Sequence, residues 1–135
     1  LVSFGNRLFG GLMIESVLQE IVHDPGLLTP AVIERSNRNR QRPGLIKPIL
    51  AVKGNLPLWE SGFATRMGEI THPTLVLWGE EDRVFPIAVG EELHQTIKGS
   101  RFVSISGAGH IPQWERPYVV NQELIAFIEP SPLVQ

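Results

Sequence analysis

The chain has no cysteine, which excludes disulfides, thiolate catalysis and cysteine-ligated metal sites together. That leaves the redox compartment open, and a cytoplasmic setting is the default expectation. An excess of one charge is also missing: 12 Lys and Arg stand against 14 Asp and Glu, a net charge of −2. Nothing therefore calls for nucleic acid or an anionic membrane as a partner. Long apolar runs are absent too. The longest, such as Ile49-Leu50-Ala51-Val52, cover a few residues, against the roughly 20 that cross a bilayer, so a soluble chain with no membrane partner is expected. The first residues lack the charged segment and cleavage site of a signal peptide. The chain begins at Leu1, not at methionine, which leaves room for sequence before it.

What is present fits one ordinary domain in length, at 135 residues. From Arg7 to Val22 the apolar residues recur at helical spacing, with Glu15, Gln19 and Glu20 on the opposite side. His23-Asp24-Pro25-Gly26 ends that helix, and Thr29-Pro30 reads as N-cap and first-turn proline of a second. Pro43-Gly44 stops the second. The pattern predicts a third helix over Leu45 to Lys53 and a fourth over Glu60 to Glu69, with Phe63 and Met67 turned inward. After His72-Pro73 the character changes. Thr74 to Trp78 is a continuous apolar run closed by Gly79, as in a strand buried on both faces of a parallel sheet. Pro86 starts a helix closed by Gly99, Arg101 to Ser106 reads as a second strand, and Pro117 opens a last helix. Strand, helix, strand, helix is a β-α-β-α unit with parallel strands.

Asp82 lies four residues beyond the end of the first expected strand, and His110 four beyond the second. Both loops then leave one edge of the sheet, with strand axes about 4.8 Å apart, and that carboxyl edge is where α/β proteins bind ligands. An aspartate accepting from one ring nitrogen fixes the histidine tautomer, and the other nitrogen can then take a proton from a nucleophile. Histidine suits the task because its ordinary pKa of about 6.5 lies near working pH. Taken alone, an Asp in "GEED" is more often a turn residue, and a lone His after glycines more often structural. The matched offsets favour the catalytic reading. Gly107-Ala108-Gly109 lacks the third glycine and the Lys-Ser/Thr ending of a phosphate loop.

"PTLVLWGEEDRVFP", with "GAGHIPQWERP" placing its histidine 28 residues after the aspartate, resembles the C-terminal part of the α/β-hydrolase fold superfamily. The branch is that of esterases, C–C bond hydrolases, haloalkane dehalogenases and epoxide hydrolases. The resemblance implies a partial α/β-hydrolase fold of the α/β class, in which a helical cap segment precedes the β-α-β-α unit. Residues 1–70 would be cap, 71–129 the C-terminal part of the core, and 130–135 a tail. It implies that Asp82 is the triad acid and His110 the base, with a small-molecule ester or related substrate, and it implies neither cofactor nor metal.

The departure from the pattern is as informative as the match. Such a hydrolase carries its nucleophile on a sharp strand-to-helix turn, usually G-x-S-x-G, with oxyanion donors partly from an earlier loop. No serine here has glycines at both −2 and +2; Ser3, in "LVSFG", has only the second. No nucleophile is found. Two parallel strands are also too few for an independent sheet, and a strand apolar on both faces should not sit at an open edge. A missing N-terminal half or a second copy is the expected partner that completes the sheet.

Three further residues are candidate substrate contacts: Arg38, Trp114 and Val84. Arg38 belongs to "ERSNRNRQRPG", which could bind a carboxylate but as a charge run more often forms a solvated face. Trp114 and Trp59 could line an acyl or aromatic pocket, although packing is the commoner fate of tryptophan. His23, His72 and His94 lack metal-ligand spacing, and Glu115 and Arg116 are expected to cap the last helix. The sequence thus supports the acid–base portion of a hydrolase, inactive alone. The alternative is a non-catalytic, hydrolase-derived binding or dimerisation module.

Overall fold

The structure is a computed structural model and describes residues 14–129. Residues 14–21 are helical (α1); the rest of the helix expected from Arg7, Ser3 and the expected tail lie outside the described residues. Asp24 then caps a 3-10 turn, Pro25–Leu27, by accepting the Gly26 N–H at 2.8 Å. Helix α2, Pro30–Arg40, begins as its sequence dictates, with Thr29 Oγ1 accepting the Val32 N–H at 3.4 Å and proline in the first turn.

Helix α3 covers Ile46–Leu58, five residues beyond the expected end. It runs through Gly54 and Pro57, although a proline there removes the bond to the Lys53 carbonyl and crowds it with its ring. Instead of an α-helix over Glu60 to Glu69, the chain winds into a wider π turn, Trp59–Phe63, and a tighter 3-10 segment, Ala64–Glu69. Ser61 Oγ donates to the Pro57 carbonyl at 2.8 Å, and Thr65 Oγ1 to Ser61 O at 3.3 Å, so side chains take part in the irregular winding. Phe63, expected inward, is about half exposed, and Met67 is half-buried.

The second half is a β-α-β-α unit. Strands β1, Leu75–Gly79, and β2, Arg101–Ile105, pair in parallel, with Leu75 opposite Arg101 and Gly79 opposite Ile105. Each is displaced or shortened by one residue from its expected span. Helices α4, Ile87–Thr96, and α6, Pro117–Ile128, both pack against both strands. A short helix that the sequence pattern does not signal, α5, Pro112–Glu115, precedes α6.

The core is small. Ile105, Ala108 and Val120 are buried against Leu77 and Val103, while Val76 and Ile97 are buried outside that cluster. Much apolar surface remains outside. Every residue from 50 to 61 is exposed, including Leu50, Val52, Leu56, Leu58 and Trp59 of the α3 region, and so are Tyr118, Ile125 and Ile128 on α6. Among the described residues the sheet has two strands, and no helix is long and apolar enough to cross a membrane.

Candidate active site

The register of the two strands ends level, at Gly79 and Ile105, and the loops beyond them are stitched together. Glu80 N–H donates to Ile105 O at 3.1 Å and Glu81 N–H to Ala108 O at 3.0 Å. The Glu81 side chain accepts the Ala108 N–H in return, also at 3.0 Å. This close approach requires glycine at 79, because a Cβ there would lie 2.0 Å from the Gly109 carbonyl and 2.4 Å from that of Ala108. Gly107, at φ +72°, makes the turn off β2 in a region that side chains disfavour.

From these loops Asp82 and His110 converge. Asp82 Oδ2 and His110 Nδ1 are 2.9 Å apart. The other carboxylate oxygen, Oδ1, accepts the N–H groups of Val84 at 2.8 Å and Phe85 at 2.9 Å. The aspartate side chain is buried, only 4% exposed, while that of His110 is 34% exposed. Burial pushes the Asp82 carboxyl up, but the His110 hydrogen bond, the Phe85 and Val84 N–H groups and the histidine charge together outweigh it. They hold the group below its ordinary value of 3.8. An ionised aspartate only accepts, so Nδ1 carries the proton of the neutral ring and Nε2 is its basic nitrogen. The Phe85 ring lies 5.5 Å from the imidazole, tilted by 51°.

Beside the pair is a cavity of about 350 Å³, walled by Leu77, Trp78, Val120 and Leu124 as well as by Asp82 and His110. A buried acid, a half-exposed base and an apolar recess can together bind a small uncharged group and move a proton at it.

None of the three candidate substrate contacts lines this cavity. Arg38 is exposed on α2 and pairs with Glu34 at 3.4 Å. Trp114 is exposed on α5 and does not line the cavity. Val84 also stays out of the lining; it contributes its N–H to Asp82. Trp59 walls two apolar recesses on the helical segment instead, one with Phe63 and Met67 and one with Val52 and Leu56. His94 Nδ1 lies 2.8 Å from Ser100 Oγ, and among the described residues no three His, Asp or Glu are grouped to hold a metal ion.

Two acidic residues that sequence reasoning passed over belong to the frame of the site. One is Glu81, whose place in "GEED" looks like a solvated turn. The other is Glu115, expected to cap α6. Its side chain turns inward and accepts N–H groups from His23 at 2.6 Å, Asp24 at 3.1 Å and Gly109 at 2.6 Å. Arg116 stands at the N-cap of α6 with no side-chain capping bond; its Nη1 donates to the Glu115 carbonyl at 3.0 Å.

The family model described as "alpha/beta hydrolase fold" matches residues 18–117. The chain belongs to this family. Among curated relatives, a 2-hydroxy-6-oxononadienedioate/2-hydroxy-6-oxononatrienedioate hydrolase of Cupriavidus pinatubonensis is 29% identical over 133 residues, which is 92% of this chain and 46% of the relative. One of the same name from Klebsiella pneumoniae is 32% identical over 117 residues, 85% of this chain and 40% of the relative. The chain therefore spans less than half the length of these curated relatives. A solved structure of a meta-cleavage product hydrolase from Pseudomonas fluorescens superimposes with a TM-score of 0.75 at 18% identity, over 90% of this chain and 48% of that one. That likeness bears on the fold: the two parallel strands and their flanking helices match part of a larger hydrolase fold.

Proposed function

We propose that the chain carries the acid and base of a hydrolytic site, Asp82 and His110, and acts on a nucleophile or water held by residues outside these 135. The observation that carries this reading is the 2.9 Å contact between Asp82 Oδ2 and His110 Nδ1 at the carboxyl edge of a parallel sheet, beside an apolar cavity. In the reaction His110 Nε2 takes the proton from the attacking hydroxyl, and Asp82 stabilises the imidazolium that forms. The same nitrogen then returns the proton to the leaving group. Where the nucleophile is a carboxylate, the base instead activates water against the covalent intermediate.

The substrate class is a small carbonyl compound, an ester or a ketone cleaved at its C–C bond. The names of the curated relatives favour the second, since they act on 2-hydroxy-6-oxo dienedioates. Residues 1–70 form the cap over the site and 71–129 the core. Support for this division comes from α3, whose exposed apolar residues need a cover, and from the change to buried strand at Leu75. The free edge of the two-stranded sheet is completed by a nucleophile-bearing half or by a second copy.

A p-nitrophenyl ester assay on the purified chain tests the placement of the nucleophile. The expected result is turnover no faster than that of His110→Ala. Turnover clearly above that variant would place a nucleophile within the chain and overturn this part of the reading.

A further inference from the structure

We propose that Glu115 is a positioning residue for His110: its carboxylate clamps the segment leaving α1 to the loop that bears the histidine, and so holds the imidazole at Asp82. The inference rests on the reading of Asp82 and His110 as a catalytic pair, but its test does not depend on turnover. Glu115 closes α5 and is 5% exposed. One oxygen, Oε1, accepts the N–H groups of His23 and Asp24, and the other, Oε2, accepts that of Gly109, the residue before the histidine. His110 N–H itself donates to Ile21 O at 2.8 Å. The histidine backbone is thus tied to the exit of α1 twice, directly through Ile21 and indirectly through Glu115.

The chemistry of the group fits the task. A carboxylate only accepts, and here it faces donors on both sides, where bonds to a charged acceptor are the strong kind. Glutamine keeps one carbonyl oxygen and turns an NH2 toward the other donors. It can satisfy one end of the clamp but not both, and a buried N–H left unpaired costs more than the bond is worth. Released at 109, the loop would let the ring turn away from Asp82, and small displacements of a base are expensive to catalysis.

The test uses the whole chain, labelled with 15N, as wild type and Glu115→Gln. Amide exchange reports the clamp, and ring 15N shifts of His110 report the Nδ1–H tautomer. In the variant the amides of Gly109, or of His23 and Asp24, should exchange about tenfold faster or more. The amides of β1 and β2 should stay as they are, and the ring should lose its Nδ1–H preference. Faster exchange with an unchanged ring would make Glu115 a merely structural residue and overturn the proposal, as would three unaltered amides. If the variant unfolds as a whole, seen as β1 and β2 amides accelerating equally, wild type in low denaturant decides. There the tautomer must be lost in step with protection at Gly109, His23 and Asp24; a tautomer that outlives that protection refutes the clamp. Loss of the catalytic reading through an activity assay would leave these results untouched.

Discussion

Asp82 and His110 meet at 2.9 Å because the strands that deliver them end in register, Gly79 opposite Ile105. Counted from those ends the two residues lie three and five positions out, not equally far. The difference is taken up by the turn at Gly107 and by the pairing of Glu81 with Ala108.

The lowered pKa of Asp82 gives stability a defined dependence on pH. A carboxyl held below its unfolded value stabilises the fold fully above that value, 3.8, and the contribution is lost as pH falls through the folded value. Urea midpoints between pH 7 and pH 2.5 should therefore drop more steeply below pH 4 in wild type than in Asp82→Asn. At neutral pH the variant should be less stable by about 1–3 kcal/mol, having lost hydrogen bonds to a charged acceptor. Parallel pH profiles would contradict this.

Two glycines should respond in opposite senses. Gly79→Ala drives a methyl into the Gly109 and Ala108 carbonyls and should cost about 2–4 kcal/mol in chemical denaturation. Gly54→Ala, inside α3 with nothing within 4 Å, should stabilise by about 0.5–1 kcal/mol.

The uncovered apolar surface predicts association. With Tyr118, Ile125 and Ile128 exposed on α6 and the α3 region bare, sedimentation of the chain should depend on concentration and the chain should bind the dye ANS. A strictly monomeric chain that leaves the dye unbound would show that the sheet needs no completion.

Legibility in the sequence followed the physics of each segment. The β-α-β-α unit was readable because Leu75 to Trp78 and Arg101 to Ile105 are short apolar or β-branched runs closed by glycine or a turn, and the start of α2 was readable because Thr29-Pro30 has one local use. That Asp82 and His110 would meet was readable because strand ends fix loop positions. Residues 59 to 69 were not, since helical spacing does not distinguish an α-helix from π and 3-10 winding below Pro57. Glu115 was hidden for another reason: two of its partners are 91 and 92 positions away, so no local pattern encodes them. Arg38, Trp114 and Val84 were picked by residue type or proximity alone, and type does not fix which way a side chain faces.

The central claim is that Asp82 and His110 are the acid and base of a hydrolase site completed from outside the chain. It is tested most directly by joining the chain behind a nucleophile-bearing hydrolase half and measuring kcat/KM on a p-nitrophenyl ester. The fusion should turn over, and His110→Ala and Asp82→Asn should each lower the rate by about 10³-fold or more. A fusion that forms the full sheet yet works no better with His110 than with alanine would contradict the account.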